Sequence, residues 1–262
     1  MKRKSAGFLI ALALCLTTAS CFDIEQSLML EKDMSGRAGF RMTIDLEPMA
    51  MIVMQMQRSM EGKKGPASAA EIAKAKADFL AQSKSKKAED NPNMEKEELA
   101  KSLPEGVTLV DQSVSEEGLK VKTNFVFHFT DPSKLGLISF PQKKGAQPTD
   151  KNAVDKPFDG LQITDEGSTF VIRSKPADPV STVNEGTAKS GAPADPQMEA
   201  MMNEALKGLR VAFRIRAPFK VVATNAMRKD GDALIWEYTV DSLKRLESKN
   251  PEDLRVFVRY KK

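Results

Sequence analysis

The chain is short of the residues from which most enzymes and metal centres are built. Its 262 residues include one histidine, His128, and two cysteines, Cys15 and Cys21. Zinc sites draw three or four ligands mainly from His and Cys, and nucleophilic triads need a base beside the nucleophile. One histidine with no partner at a recognisable spacing supplies neither. No G-x-S-x-G, phosphate-loop, H-E-x-x-H or dinucleotide fingerprint occurs. Carboxylates are plentiful but no spacing pairs them, so a non-enzyme without a cofactor is expected. Charge of one sign is also scarce. The 40 basic and 36 acidic residues leave a net charge of +4, well short of the basic excess that a nucleic-acid partner requires. Long apolar runs are missing too. Gly7 to Leu16 is about half the roughly 20 residues needed to span a bilayer.

What is present starts with Met1 to Cys21, MKRKSAGFLIALALCLTTASC. Lys2, Arg3 and Lys4 precede the apolar run, and Thr18, Ala19 and Ser20 lead in small steps to Cys21. Residues 1–20 therefore read as a secretory signal peptide. The small residues ending in Cys21 resemble the lipobox of bacterial lipoproteins, with Thr18 standing where that family usually has Leu. The resemblance implies that Cys21 is acylated, becomes the new N-terminus and holds the chain on a membrane. Each buried CH₂ of an acyl chain contributes about 0.8 kcal/mol of membrane affinity. Phe22, rather than Asp, follows Cys21; in such lipoproteins this implies the periplasmic face of the outer membrane in a Gram-negative cell. Loss of the leader removes Cys15 and three basic residues, leaving 242 residues with about +1 charge. With Cys21 the only cysteine left, no internal disulfide and no cysteine-based metal site can form.

Folding is expected to start immediately after Cys21. Phe22, Ile24, Leu28 and Leu30 alternate with polar residues at the period of a strand, and Ala38, Phe40, Met42 and Ile44 do the same beyond a turn at Lys32 to Gly36. Pro48 opens a helix, a second runs from about Ser68 to Lys87, and a third from Met94 to Ser102. Val107 to Ser113 and Leu119 to Phe129 form the next hairpin, with His128 on the face opposite Phe125, Phe127 and Phe129. Leu161 to Thr164 and Thr169 to Arg173 pair across Asp165-Glu166-Gly167, whose glycine suits a left-handed loop position. Further strands are expected at Leu209 to Ile215, Phe219 to Thr224, Ala233 to Val240 and Leu254 to Tyr260. The whole reads as an α+β fold: an antiparallel β-sheet of roughly eight to ten strands, built from hairpins and packed by two or three amphipathic helices. Residues 21–262 form a single domain with a helical insertion at about 48–103 and flexible loops at about 139–157 and 175–195.

Two patterns invite a functional reading. Met49, Ile52, Val53, Met56 and Met60 share one helical face, and Met198, Met201 and Met202 lie on another amphipathic stretch. Methionine is flexible enough to line an adaptable apolar surface for a lipid or a protein partner, or simply to fill a core. As a competing reading, Met49, Met51, Met54 and Met56 are soft thioether ligands of the kind that bind Cu(I) in the periplasm. The second pattern is arginine. Arg210, Arg214 and Arg216 alternate with apolar residues, as do Arg255 and Arg259. If the two strands are neighbours, five guanidinium groups share a face suited to anionic headgroups. The plainer alternative is a solvated sheet face.

The element order, with Ser35-Gly36 in the first turn and Asn225, Asp230-Gly231 and Trp236 in the last hairpin, resembles LppM-type envelope lipoproteins. That resemblance implies an α+β lipid-interacting domain and carries over no binding residue. The expected function is a non-catalytic, membrane-anchored envelope lipoprotein presenting or enclosing an apolar surface. A structural component of an envelope assembly is the remaining alternative.

Overall fold

The computed structural model describes residues 22–63, 65–87, 92–140, 156–175, 208–242 and 255–262. The leader with Cys21, most of the two expected loops, and Met198, Met201 and Met202 lie outside the described residues.

The fold is α+β, with eleven strands among the described residues. Strands β1 (Phe22–Leu30) and β2 (Gly36–Asp45) form the first hairpin, followed by α1 (Glu47–Met60), α2 (Ala69–Lys87) and α3 (Pro92–Ser102). The long hairpin of β3 (Val107–Glu117) and β4 (Lys120–Phe129) comes next, then a 3₁₀ turn at Pro132–Leu137 and the short pair β5 (Gln162–Asp165) and β6 (Thr169–Arg173). The remaining strands are β7 (Arg210–Arg216), β8 (Lys220–Thr224), β9 (Arg228–Asp230), β10 (Ala233–Thr239) and β11 (Phe257–Lys261).

These strands make two sheets, where the sequence suggests one. The larger runs β3-β4-β2-β1-β7-β10-β9 and the smaller β5-β6-β11-β8. All pairings are antiparallel except β1 with β7, which run parallel with Asp23 opposite Arg210 and Ser27 opposite Arg214. Local hairpin signals cannot announce this pairing, because its two strands lie far apart in the chain.

The period of two places the apolar residues as expected. Leu28, Ala38, Phe40, Phe127 and Phe129 of the larger sheet are buried, and Phe170, Ile172, Val258 and Tyr260 of the smaller sheet join the same core. Aromatic rings bridge the interior: Phe127 meets Phe158 edge-on with centroids 6.3 Å apart, and Phe170 stacks on Tyr260 at 5.1 Å. Turns follow their glycines, with Gly118, Gly167 and Gly231 at φ of 62°, 82° and 59°. Each lies in the left-handed region that a side chain disfavours.

Leu99 of α3 belongs to the main core, whereas Ala50 and Met54 of α1 are buried outside it, where α1 and α2 form a hairpin of their own. Arg58 ties that hairpin together. Its guanidinium lies 2.6 Å from Glu71 Oε2 and donates to the carbonyls of Gly65 and Pro66 at 3.1 and 3.3 Å. Ser68 and Glu71 form a capping box: Ser68 N donates to Glu71 Oε2 at 2.9 Å and Glu71 N to Ser68 Oγ at 3.3 Å.

Candidate functional site

The helix α1 grows from the end of the larger sheet at which the chain enters it. Phe22 lies opposite Ile44 in the β1–β2 register, and Ile44 lies three residues before Glu47, the first residue of α1. Asp45 fixes the junction, its Oδ1 accepting from Glu47 N at 2.9 Å while Lys120 Nζ lies 3.6 Å from Oδ2. Leu46 N donates to the Leu119 carbonyl at 2.8 Å, joining the helix start to the β3–β4 turn.

The apolar face expected on α1 points outward. Met49, Val53, Met56 and Met60 are 44, 42, 46 and 86% exposed, with Ile52 half-buried beside them. Burial falls on the opposite side, at Ala50, Met54 and Arg58. The helix thus spends its inner face on a packing methionine and a buried arginine and leaves its larger apolar stripe uncovered by the described residues.

This geometry corrects the Cu(I) reading. At about 100° per residue, Met49 and Met56 project from one side of α1, and Met51 and Met54 from nearly the other. Four thioethers spread in this way cannot converge on one ion, and Met54 is buried. Among the described residues, no group of three or more His, Cys, Asp or Glu side chains is placed to hold a metal.

The arginine face is likewise corrected. Arg210, Arg214 and Arg216 lie on β7, between β1 and β10 of the larger sheet, whereas Arg259 lies on β11 of the smaller sheet, with Arg255 just ahead of it. The two groups share no face. Carboxylates occupy those on β7: Arg210 donates to Asp23 Oδ1 at 2.8 Å and to Glu237 Oε2 at 3.1 Å, Arg214 to Asp230 Oδ2 at 3.2 Å, and Arg216 lies 2.7 Å from Asp232 Oδ1. Hydrogen bonds from Arg210 are the main reason the Glu237 carboxyl titrates below its usual range. Arg259 Nε lies 3.2 Å from Glu166 Oε2, close enough to pair but not aligned for a hydrogen bond. These arginines are cross-strand ties.

Two arginines that the sequence reading passed over behave differently. Arg37 and Arg41, on the outward face of β2, flank a groove of about 220 Å³ whose lining includes Glu25, Ser27, Met29, Gly39 and Val126. The signal was there to read as Arg37-x-Gly39-x-Arg41, two cations and a gap on the polar phase of one strand. His128 lies opposite Arg37 in the β2–β4 register.

Among the described residues, no helix is long and apolar enough to cross a membrane. No protein-family model matches the chain, and no curated protein matches it. Among solved structures, the chain is similar to the NMR structure of the folded domain of LppM from Mycobacterium tuberculosis. The TM-score is 0.40 at 11% sequence identity, covering 99% of this chain and 94% of that one. At this level of similarity no residue role or activity transfers.

Proposed function

We propose that this protein is a non-catalytic lipoprotein of the cell envelope, held by an acylated Cys21, that lays the apolar stripe of α1 on the membrane to which it is attached. In a Gram-negative cell the lipobox pattern and Phe22 favour the outer membrane, facing the periplasm. The observation that carries this reading is the stripe itself. Four large apolar side chains, Met49, Val53, Met56 and Met60, face outward on one helix, at the sheet end where the register brings Phe22 beside Ile44. Single exposed apolar residues are ordinary, but a contiguous row on an amphipathic helix is the pattern of a surface that meets lipid. Methionine suits that role because its unbranched thioether adapts to an irregular apolar phase.

The test has two arms. Mass spectrometry of the N-terminal peptide is expected to find acyl groups on Cys21, and a peptide without them removes the anchor. A chain exported from a leader that leaves no Cys21 is expected to bind vesicles weakly. Changing Met49, Val53, Met56 and Met60 to Gln together should abolish that residual binding, and undiminished binding would remove the stripe from the reading.

A further inference from the structure

From the groove on the outward face of β2 we infer a second binding site, in which Arg37 and Arg41 clamp a phosphate ester. The site is independent of the helix stripe and of the anchor. On this face of the sheet, Arg210, Arg214, Arg216 and Arg228 are each matched to carboxylates. Arg37 and Arg41 are exposed and, among the described residues, form no hydrogen bond or ion pair. Among the described residues, a sheet that neutralises its other outward arginines so consistently leaves two unmatched cations at a single place, and that place is concave.

Gly39 makes the concavity. It sits midway between the two arginines, with Ser27 and Val126 across the neighbouring strands. A Cβ at position 39 would come within 2.5 Å of Ser27 Oγ. The missing side chain leaves Ser27 Oγ on the floor as a hydroxyl donor. Same-face residues four apart on a strand are about 13 Å from each other, a span that two arginine side chains can close from both ends. Their forked donors match phosphate oxygens better than any other side chain does. Met29 and Val126 give the groove an apolar margin for the carbon skeleton of the ester. Glu25 lies opposite Arg41 in the β1–β2 register. Its Oε1 lies 3.9 Å from Arg214 Nε, which partly offsets its charge, and the carboxylate can accept a hydrogen bond from a ligand hydroxyl. The chemistry fits a hydroxyl-bearing phosphate ester, whether soluble or as the headgroup of a lipid.

Calorimetric titration of the purified full chain with sn-glycerol 3-phosphate, and with vesicles of phosphatidylglycerol or phosphatidylcholine, tests the assignment. Saturable binding of the soluble ester identifies a free phosphate ester as ligand. A preference for phosphatidylglycerol over phosphatidylcholine vesicles, which the anchor and the stripe of α1 bind alike, identifies a headgroup. Equal binding to the two lipids without binding of the soluble ester overturns the site. In either positive case Arg37→Gln with Arg41→Gln should weaken that binding or that preference at least tenfold. Arg216→Gln, which removes a charge from the same face, should leave it within twofold. Gly39→Ala combined with Ser27→Ala keeps both arginines and fills the floor, and should also weaken binding at least tenfold while the melting transition persists. No binding to either probe, equal losses for Arg216→Gln and the arginine pair, or unchanged affinity in the filled variant would each overturn the site.

Discussion

The Oδ1 atom of Asn225 accepts a hydrogen bond from Trp236 Nε1 at 2.7 Å, joining the strand end after β8 in the smaller sheet to β10 in the larger. The same oxygen accepts from Phe257 N at 3.0 Å, and the Asn225 amide donates to the Arg255 carbonyl at 2.7 Å. One side chain thereby satisfies the indole of the only tryptophan and stitches β11 to the turn beyond β8. Asn225→Ala leaves a buried indole N–H without its acceptor, at a cost of about 2 kcal/mol. Denaturant unfolding followed by Trp236 emission should show that loss with an unchanged slope.

Tyr238 offers the opposite case. It is 1% exposed, and its hydroxyl has no hydrogen-bond partner among the described residues. Removing an unsatisfied buried hydroxyl is expected to stabilise, so Tyr238→Phe should gain about 1 kcal/mol in denaturant unfolding. Burial pushes this phenol up to about 12. A group whose pKa is raised by folding contributes its stability in full below the unfolded value of about 10 and loses it as pH rises through the folded value. The wild-type protein should therefore weaken between those two pH values, and Tyr238→Phe should blunt the decline.

The helical hairpin carries an acid-sensitive latch. Hydrogen bonds from the Ser68 backbone and hydroxyl, reinforced by Arg58, hold the Glu71 carboxyl down to about 2. A depressed carboxylate stabilises above its ordinary value near 4.5 and loses that contribution as pH falls through the folded value. Protection factors of α1 and α2 amides, which remove the intrinsic slowing of exchange in acid, should fall as pH drops across this range. Glu71→Gln should speed exchange already at neutral pH and remove the acid-dependent step.

Arg210 links three strands through Asp23 on β1 and Glu237 on β10. All three side chains are partly solvated, so a double-mutant cycle of Arg210→Ala and Glu237→Ala should return a modest coupling of about 0.5–1 kcal/mol. Strong salt should shrink it. A coupling near zero would mean that the pair contributes alignment without stability.

Local pattern explains which parts of this molecule were legible in the sequence. The alternation of Phe125, Phe127 and Phe129 and the turn at Gly118 mark β3 and β4 because both signals act within a few residues. The parallel union of β1 with β7, and the division of β7 and β11 between two sheets, depend on contacts between distant segments that leave no periodic trace. The shared arginine face does not form for this reason: alternation sets the face of each strand on which an arginine lies but not which strands are neighbours. On α1 the period of 3.6 located an apolar stripe but not the side that would be buried. Arg58 helps to set that side, because its bonds to Glu71, Gly65 and Pro66 hold it inward together with Ala50 and Met54. Arg37 and Arg41 escaped notice because two isolated cations gain meaning only when their neighbours are seen to be neutralised.

Strand β1 has neighbours on both sides, antiparallel β2 and parallel β7, and its ladder begins at Phe22. A pull on the chain ahead of Phe22 acts along this strand, so its ladder bonds are loaded together in shear rather than peeled one after another. Under such a load the body gives little slack and yields, when it does, by losing the middle of its larger sheet.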